Sequence, residues 1–446
     1  MSRGFESHTL RWKRALVTKT TRPARRGRRT VARHGELSSP HPFSLLLKVL
    51  GVIVAVVLAS GAGIAAYAAY DITASFAEGA VDLEDQGPVP PDIGAIESEV
   101  DLFIAGTDAC EPEYAQFFGS RCTGADAGGE LNDVNLLVHI SAEPRRVTVV
   151  SFPRDLMVPI PSCTRADGSQ TSAMSKQMIN SAYMYGGLSC VVKTVSQLAG
   201  RPIPFAAKVT WGGVIEITNA IGGVEVCIGN GGIRDRYTGI DWPAGPRTIS
   251  GLEALQFLRT RHGLENGSDL ARISNQQQYM SRLAKKIMSE DVLSDLPTLL
   301  KLATTAVDNV TPSESLTNPV TLMQIALAVK NVPFDDIVFV QYPVNADPSD
   351  PNRVVPNYEA AEQLWAAIDA NVPISLTGDP SRGGGVIVVD PQPSDQPAET
   401  PAPTEPTPGA TETATPAPTP VELPSSISGF SADQETCSAG NLRANG

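Results

Sequence analysis

Residues Leu131–Asp155, LNDVNLLVHISAEPRRVTVVSFPRD, decide the fold. Val134 to Ile140 and Val147 to Phe152 are apolar, β-rich runs, and the polar SAEPR between them reads as a turn. The segment is therefore an antiparallel hairpin, in which the first residue of one strand lies beside the last of the other. Folding about Glu143 sets Asp133 next to Arg154. A carboxylate and a guanidinium at the open end of a buried hairpin suit a site that holds a metal and a phosphate. An ordinary ion pair at a sheet edge would use the same two residues, so the pair alone leaves both readings open.

Around the hairpin, strands are suggested at Val100–Ala105, Phe205–Val209, Val224–Ile228 and Ile337–Tyr342. Helical patterns occur at Ser175–Tyr185, Val191–Leu198, Gly213–Ile221, Leu252–Leu258, Leu270–Ser289, Val320–Val329 and Tyr358–Ala370. Mixed strands and helices over residues 97–376 read as one α/β domain. Residues 377–427 collapse to Pro, Thr, Ala, Glu and Ser, a composition that cannot bury enough apolar surface to offset ordering, so a disordered, partly polyproline-II tether is expected. Residues 428–446 regain Phe430 and Cys437. They either dock back through a disulfide or form a tail, and the sequence does not choose.

The formal charge of −13 conceals an asymmetry. Residues 1–48 carry 12 Lys and Arg against Glu6 and Glu36, a net of +10, which leaves −23 for the rest. The divider is Val49 to Tyr70, VLGVIVAVVLASGAGIAAYAAY, 22 residues without a charge and long enough to cross a bilayer. The basic flank puts the N-terminus in the cytosol and everything after Asp71 outside. This makes residues 49–70 a single-pass signal-anchor, residues 1–48 a disordered cytosolic segment and residues 71–96 a stalk. A cleaved signal peptide is the rival, disfavoured by the long leading segment and the long apolar run. The Arg25–Arg29 cluster answers anionic headgroups more simply than nucleic acid, and no nucleic-acid partner is expected.

All six cysteines, Cys110, Cys122, Cys163, Cys190, Cys227 and Cys437, lie beyond the apolar run, which favours disulfides. Cys110 and Cys122 bracket one loop and are the expected pair. The other four permit three pairings. Zinc ligation is the alternative, but there is no CxxC and the five histidines are scattered.

A second constellation begins at Arg259, in RTRHGLENGSDLARISNQQQYMSRLAKKIM. Ser268 can cap a helix running to about Ser289. Ile273, Met280, Leu283, Ala284 and Ile287 form its apolar stripe, with Arg282, Lys285 and Lys286 opposite, in solvent. Asp269, Arg272 and Gln276 fall on the same side as the stripe. Buried charge is costly unless paired or given a ligand, so these residues make either a structural ion-pair network or a binding site. Arg259 and Arg261 alternate with Thr260 and share one side of an extended exit. With Arg154 and Arg272 they offer four guanidiniums to one pocket, as binding a pyrophosphate requires. Asp108 ends the strand DLFIAGTD and, with Asp133, could hold Mg²⁺, which takes carboxylates and substrate phosphates.

These residues carry a resemblance to a known family. GTD at 106–108, ND at 132–133, VTVVSFPRDLMVPIP at 147–161, INSAYMYGG at 179–187, NAIGGVEV at 219–226, ALQFLRTRHG at 254–263 and DLARISNQQQ at 269–278 resemble, in order, the motifs of the LytR-CpsA-Psr family. The resemblance covers residues 100–290, and the basic segment and single anchor also match. It implies an extracytoplasmic α/β/α sandwich, a central mixed sheet flanked by helices, with a hydrophobic polyprenyl pocket. It further implies transfer of a glycopolymer, such as teichoic acid or arabinogalactan, from a polyprenyl-pyrophosphate carrier to peptidoglycan. Its Mg²⁺ aspartates fall on Asp108 and Asp133, with Mn²⁺ a possible substitute. Its pyrophosphate-binding residues fall on Arg154, Arg259, Arg261, Arg272 and Gln276, and the catalytic set on Arg154, Asp133, Arg259 and Arg261.

The chain departs from the family pattern at three places. Leu131 stands where an arginine is usual, Met178 where a lysine opens the KINAAY motif, and Asn275 where a basic residue often precedes the QQ pair. Lys176 either replaces the lost lysine or is a surface charge. The core set is intact, so a membrane-anchored, Mg²⁺-dependent phosphotransferase is expected, with pyrophosphatase activity as a side reaction and Asp133 or Asp269 assisting deprotonation. A non-catalytic envelope module that holds lipid-linked polymer or partner proteins is the alternative.

Overall fold

Period-two alternation along the strands sorts the side chains of a central mixed sheet onto two apolar faces. In the computed structural model, which describes residues 74–77, 79–86, 98–125, 128–289, 295–381, 384–389 and 419–441, this sheet has seven strands. They are β1 (Val100–Thr107), β2 (Asn132–Ile140), β3 (Val147–Phe152), β4 (Phe205–Thr210), β5 (Val310–Pro312), β6 (Ile337–Gln341) and β7 (Gly429–Ser431), in the order β5-β4-β1-β2-β3-β6-β7. The β1–β4 and β3–β6 pairs are parallel and the other neighbours antiparallel. The helices are α1 (Ala182–Ala199), α2 (Trp211–Ala220), α3 (Gly251–Arg259), α4 (Asp269–Ile287), α5 (Leu296–Asn309), α6 (Pro319–Val329) and α7 (Tyr358–Asp369). The basic segment and the apolar run expected as the anchor lie outside the described residues. Among the described residues no helix is long and apolar enough to cross a membrane.

One sheet face, with Phe103, Leu137, Val150 and Val340, packs in one cluster with Leu188, Val191 and Val195 of α1 and Leu364 and Ile368 of α7. The other, with Leu136, Val149 and Phe339, packs against Met280 of α4 and Ile325 and Val329 of α6. Helices therefore cover both faces. The hairpin forms as its pattern dictates, with Asn135 opposite Phe152 and Ile140 opposite Val147. Carried two residues outward, the same register sets Asp133 against Arg154.

Three expectations change. Within residues 377–427, expected as a disordered tether, Val386–Val388 pairs as a strand with Thr436–Ser438 and Val421–Leu423 with Ile374–Leu376, because the returning C-terminal segment supplies partners that composition does not show. The helix expected over Ser175–Tyr185 begins only at Ala182, because Met174–Met178 pairs as a strand with Met157–Ile160. A cross-strand partner here outweighs local periodicity. Arg282 and Lys285, expected in solvent, are largely covered, and both pair with Glu435. The cause is the C-terminal segment. Its β7 extends the central sheet, Thr436–Ser438 joins a second sheet beside Val224–Ile228, and Cys437 is bonded to Cys227. Cys110–Cys122 and Cys163–Cys190 are the other disulfides.

Candidate active site

The carboxyl ends of β1, β3 and β4 and the amino end of β2 meet at one rim of the sheet. The cavity outside them, about 590 Å³, is closed by residues of α2, α3 and α4 and by the Asp235–Thr238 turn. Open α/β sheets place their ligand crevices at such a rim. Gly106 makes the floor, and a Cβ there would lie 2.8 Å from the Cβ of Val134, so only glycine lets the two strands close while leaving the space open.

Arg154, Arg259, Arg261, Arg272, Gln276 and Asp133 all line this cavity. Arg154 Nη1 donates to Asp133 Oδ1 at 3.1 Å, and its Nε lies 3.2 Å from Asp269 Oδ1. Ser268 Oγ accepts from Ala271 N at 3.0 Å and caps α4, which starts the helix with Asp269 and Arg272 one turn apart. Arg272 Nη2 then sits 2.8 Å from the same Asp269 oxygen. One carboxylate thus serves two guanidiniums, and Nε of Arg154 and of Arg272 are buried with no hydrogen-bond partner among the described residues.

Electrostatics separates the arginines. Burial works against the charge on Arg154, but Asp133, Asp269 and Asp155 outweigh it and hold the pKa above the ordinary value. For Arg272 and Arg259 burial wins and the pKa falls, because the partial gain from Asp269 or Asp133 is opposed by a neighbouring arginine. Guanidinium charge is thus incompletely compensated at both, the condition that an incoming anion relieves. Arg259 is also fixed in orientation, its guanidinium carbon 4.1 Å from the Trp211 ring centroid and 5.3 Å from that of Phe118.

Three features lie beyond the sequence reading. Asp235 is fully buried, and its Oδ2 accepts from Thr260 Oγ1 at 2.9 Å and from the Arg261 and His262 amides at 3.0 Å. It folds the RTRH turn into the wall. In the sequence it sits between Arg234 and Arg236 in a polar stretch, which reads as surface. Trp211, just past β4, carried no signal beyond its position at a strand end. Arg121 is the third: its Nε donates to Asp108 Oδ2 at 2.8 Å and its Nη2 to Asp108 O at 3.1 Å, while Asp108 Oδ1 accepts from Leu131 N at 2.7 Å.

Asp108 therefore sits one residue past β1, opposite Leu131 and engaged by Arg121, and, contrary to the expected pairing with Asp133 at a metal, it does not line the cavity. Gln276 lines it, with its Nε2 donating to Leu258 O at 2.9 Å, so part of its role is to tie α4 to α3. Lys176, itself exposed, pairs with the buried Asp347 at 2.7 Å, and neither lines the cavity. For a hard cation the cavity offers the Asp133 carboxylate and Thr107 Oγ1, the latter buried with no partner among the described residues. Such a set suits Mg²⁺ or Mn²⁺ completed by substrate phosphate and water.

A second cavity of about 220 Å³ adjoins the first and shares Gly106, Val134, Val209, Val214, Leu258 and Gln276 with it. Its remaining wall is mostly apolar, with Ile104, Leu136, Val149, Met280, Leu283 and Phe339. The site is thus charged at the rim and greasy behind.

Residues 72–370 match the LytR_cpsA_psr family, and the chain belongs to it. It is 27% identical over 314 residues to the cell wall biosynthesis protein LcpA of Corynebacterium glutamicum, covering 66% of this chain and 59% of that one. It is also 27% identical to the polyisoprenyl-teichoic acid–peptidoglycan teichoic acid transferase TagU of Enterococcus faecalis, over 38% of this chain and 51% of the relative. The chain thus spans about half to three fifths of these relatives. Among solved structures, a LytR-Csp2A-Psr enzyme from Actinomyces oris aligns over 65% of this chain and 94% of its own, with a TM-score of 0.47 and 22% identity.

Proposed function

We propose that the chain is an extracytoplasmic phosphotransferase, held by the single span 49–70, that moves a glycopolymer from a polyprenyl-pyrophosphate carrier to peptidoglycan. The observation that carries this reading is the shared wall between an arginine-lined cavity and an apolar one. A ligand with a multiply charged head on a hydrocarbon chain fits both at once. The names of the relatives, a cell wall biosynthesis protein and a teichoic acid transferase, agree with it.

In this reading the forks of Arg154, Arg259, Arg261 and Arg272 bind the pyrophosphate oxygens and stabilise charge that spreads over the transferred phosphoryl group. The acceptor hydroxyl forms the new bond to the phosphorus that bears the glycopolymer, the bridging P–O bond breaks, and polyprenyl phosphate leaves. Asp269 is committed to two arginines, so Asp133, on the wall, is the carboxylate that the attacking hydroxyl meets. Mg²⁺ would be held by Asp133 and Thr107, and would supply charge neutralisation at the phosphates, while Asp108 would act only through Arg121 and the Leu131 amide.

The test is to incubate the full-length protein in detergent with lipid-pyrophosphate-linked polymer, Mg²⁺ and peptidoglycan. Polymer attached to peptidoglycan and polyprenyl phosphate should appear in equal amounts. Tight binding of the lipid without release would leave a non-catalytic holder of lipid-linked polymer.

A further inference from the structure

Helix α6 is apolar on the side that should be polar. A surface helix of a soluble domain ordinarily turns one stripe inward and presents polar residues outward. The inner stripe of α6 is in order, with Ile325, Ala328 and Val329 packed on the cluster that covers one sheet face. Outward, however, stand Val320, Met323 and Leu327, between 51% and 56% exposed, with Leu322, 37% exposed, at the edge of the inner stripe. These are four of the eleven exposed large apolar side chains among the described residues, gathered on one helix of 11 residues. At 3.6 residues per turn, Val320, Met323 and Leu327 fall within an arc of about 60°.

The chain leading from the apolar run 49–70 makes a contact just before this helix. It is pinned at Val81, whose N–H donates to Pro312 O at 2.9 Å and whose carbonyl accepts from Glu314 N at 2.9 Å. Five residues after Glu314, α6 begins. Only ten residues separate Tyr70 from Val81, a reach of at most about 40 Å fully extended, and Ala74–Ala77 shortens it by being helical. The exposed helix is thus joined, through the Val81–Glu314 contact, to the segment that leaves the proposed span. Its inner face also packs on the cluster to which Leu136, Val149 and Phe339 belong, three residues that line the apolar cavity.

We propose that the outer face of α6 is a membrane-docking surface, seated among lipid headgroups and upper acyl chains, which holds the apolar cavity at the bilayer from which a polyprenyl carrier is drawn. The proposal rests on the membrane-anchored reading above. An interfacial helix of this kind buries its apolar face about 5–10 Å into the headgroup boundary. Val320, Met323 and Leu327 supply that face, and Lys330, exposed at the end of the helix, stays at the water side.

The test uses the full-length chain reconstituted into vesicles of phosphatidylglycerol and phosphatidylcholine, with bromine carried high on the acyl chains as a short-range fluorescence quencher. Met323→Trp reports from the patch, and Tyr358→Trp reports from an exposed site at the start of α7. Tryptophan at 323 should lose most of its added emission in brominated vesicles, and tryptophan at 358 almost none. Leu327→Glu, introduced beside Met323→Trp, should abolish the quenching while the chain still floats with the vesicles. If wild-type chain does not float with vesicles, the anchor reading fails and the proposal with it. If it floats and tryptophan at 323 is no more quenched than tryptophan at 358, the anchor stands and the docking surface is overturned. Absent quenching together with a dimer in detergent that Met323→Glu makes monomeric would assign the face to a second copy and overturn the proposal equally.

Discussion

Two polar groups on α4 meet opposite fates. Asn275 and Gln278 are buried, and their partners come from distant parts of the chain. Asn275 Nδ2 donates to Phe257 O and its Oδ1 accepts from Ser438 Oγ, while Gln278 Nε2 donates to Cys227 O and Thr436 O. Arg272, three residues before Asn275, is buried too, yet its Nε has no partner among the described residues and its single carboxylate is shared with Arg154. Buried polar groups in native proteins are answered, and those left open call for an explanation. The closed network holds the C-terminal segment to the domain. The open one, on the proposed function, is kept for a ligand.

The sharpest break in this comparison is Arg154→Ala. Turnover should fall by about 10³-fold or more, the range for a guanidinium that stabilises phosphoryl transfer. Steady-state kinetics beside circular dichroism would check it, and Arg154→Lys should recover little because the bidentate fork is lost. On the closed side, replacing Cys227 and Cys437 together by Ser should cost about 2–5 kcal/mol in denaturant unfolding. Amide exchange should accelerate over residues 428–441, while the folded fraction keeps its turnover. Next in size, Asn275→Ala and Gln278→Ala should each lose about 1–3 kcal/mol by orphaning their buried partners, again with turnover of the folded fraction unchanged. Smallest, Ser268→Ala removes the α4 cap at about 1 kcal/mol. If its loss of turnover exceeds that of Asn275→Ala, the cap is also positioning Asp269 and Arg272.

The open group was legible in the sequence and the closed one was not. Asp133 and Arg154 share a hairpin whose register follows from its turn, and Arg272 and Gln276 share a helix phase, so local periodicity brings them together. Asn275 and Gln278 find their partners about 160 residues away, a pairing that neither period nor spacing encodes. The same limit hid Asp235, whose partners lie 25 to 27 residues on, and the covering of Arg282 and Lys285 by Glu435. Arg121 escaped for a different reason: the bracketing cysteines announced a loop, but not that it folds back on Asp108. The strand at Met174–Met178 was misread because its alternation is weak and its partner strand decides it.

The claim that the open arginine group exists for a pyrophosphate on a hydrocarbon chain is tested most directly by calorimetric titration of the full-length protein in detergent. The ligands are geranylgeranyl pyrophosphate, the corresponding monophosphate and the free alcohol, each with Mg²⁺. The pyrophosphate should bind tightest and the alcohol weakest, and Arg272→Ala should erase the preference between the two phosphates while Asn275→Ala leaves it intact. Equal affinity for all three ligands, or a preference that survives Arg272→Ala, would contradict the account.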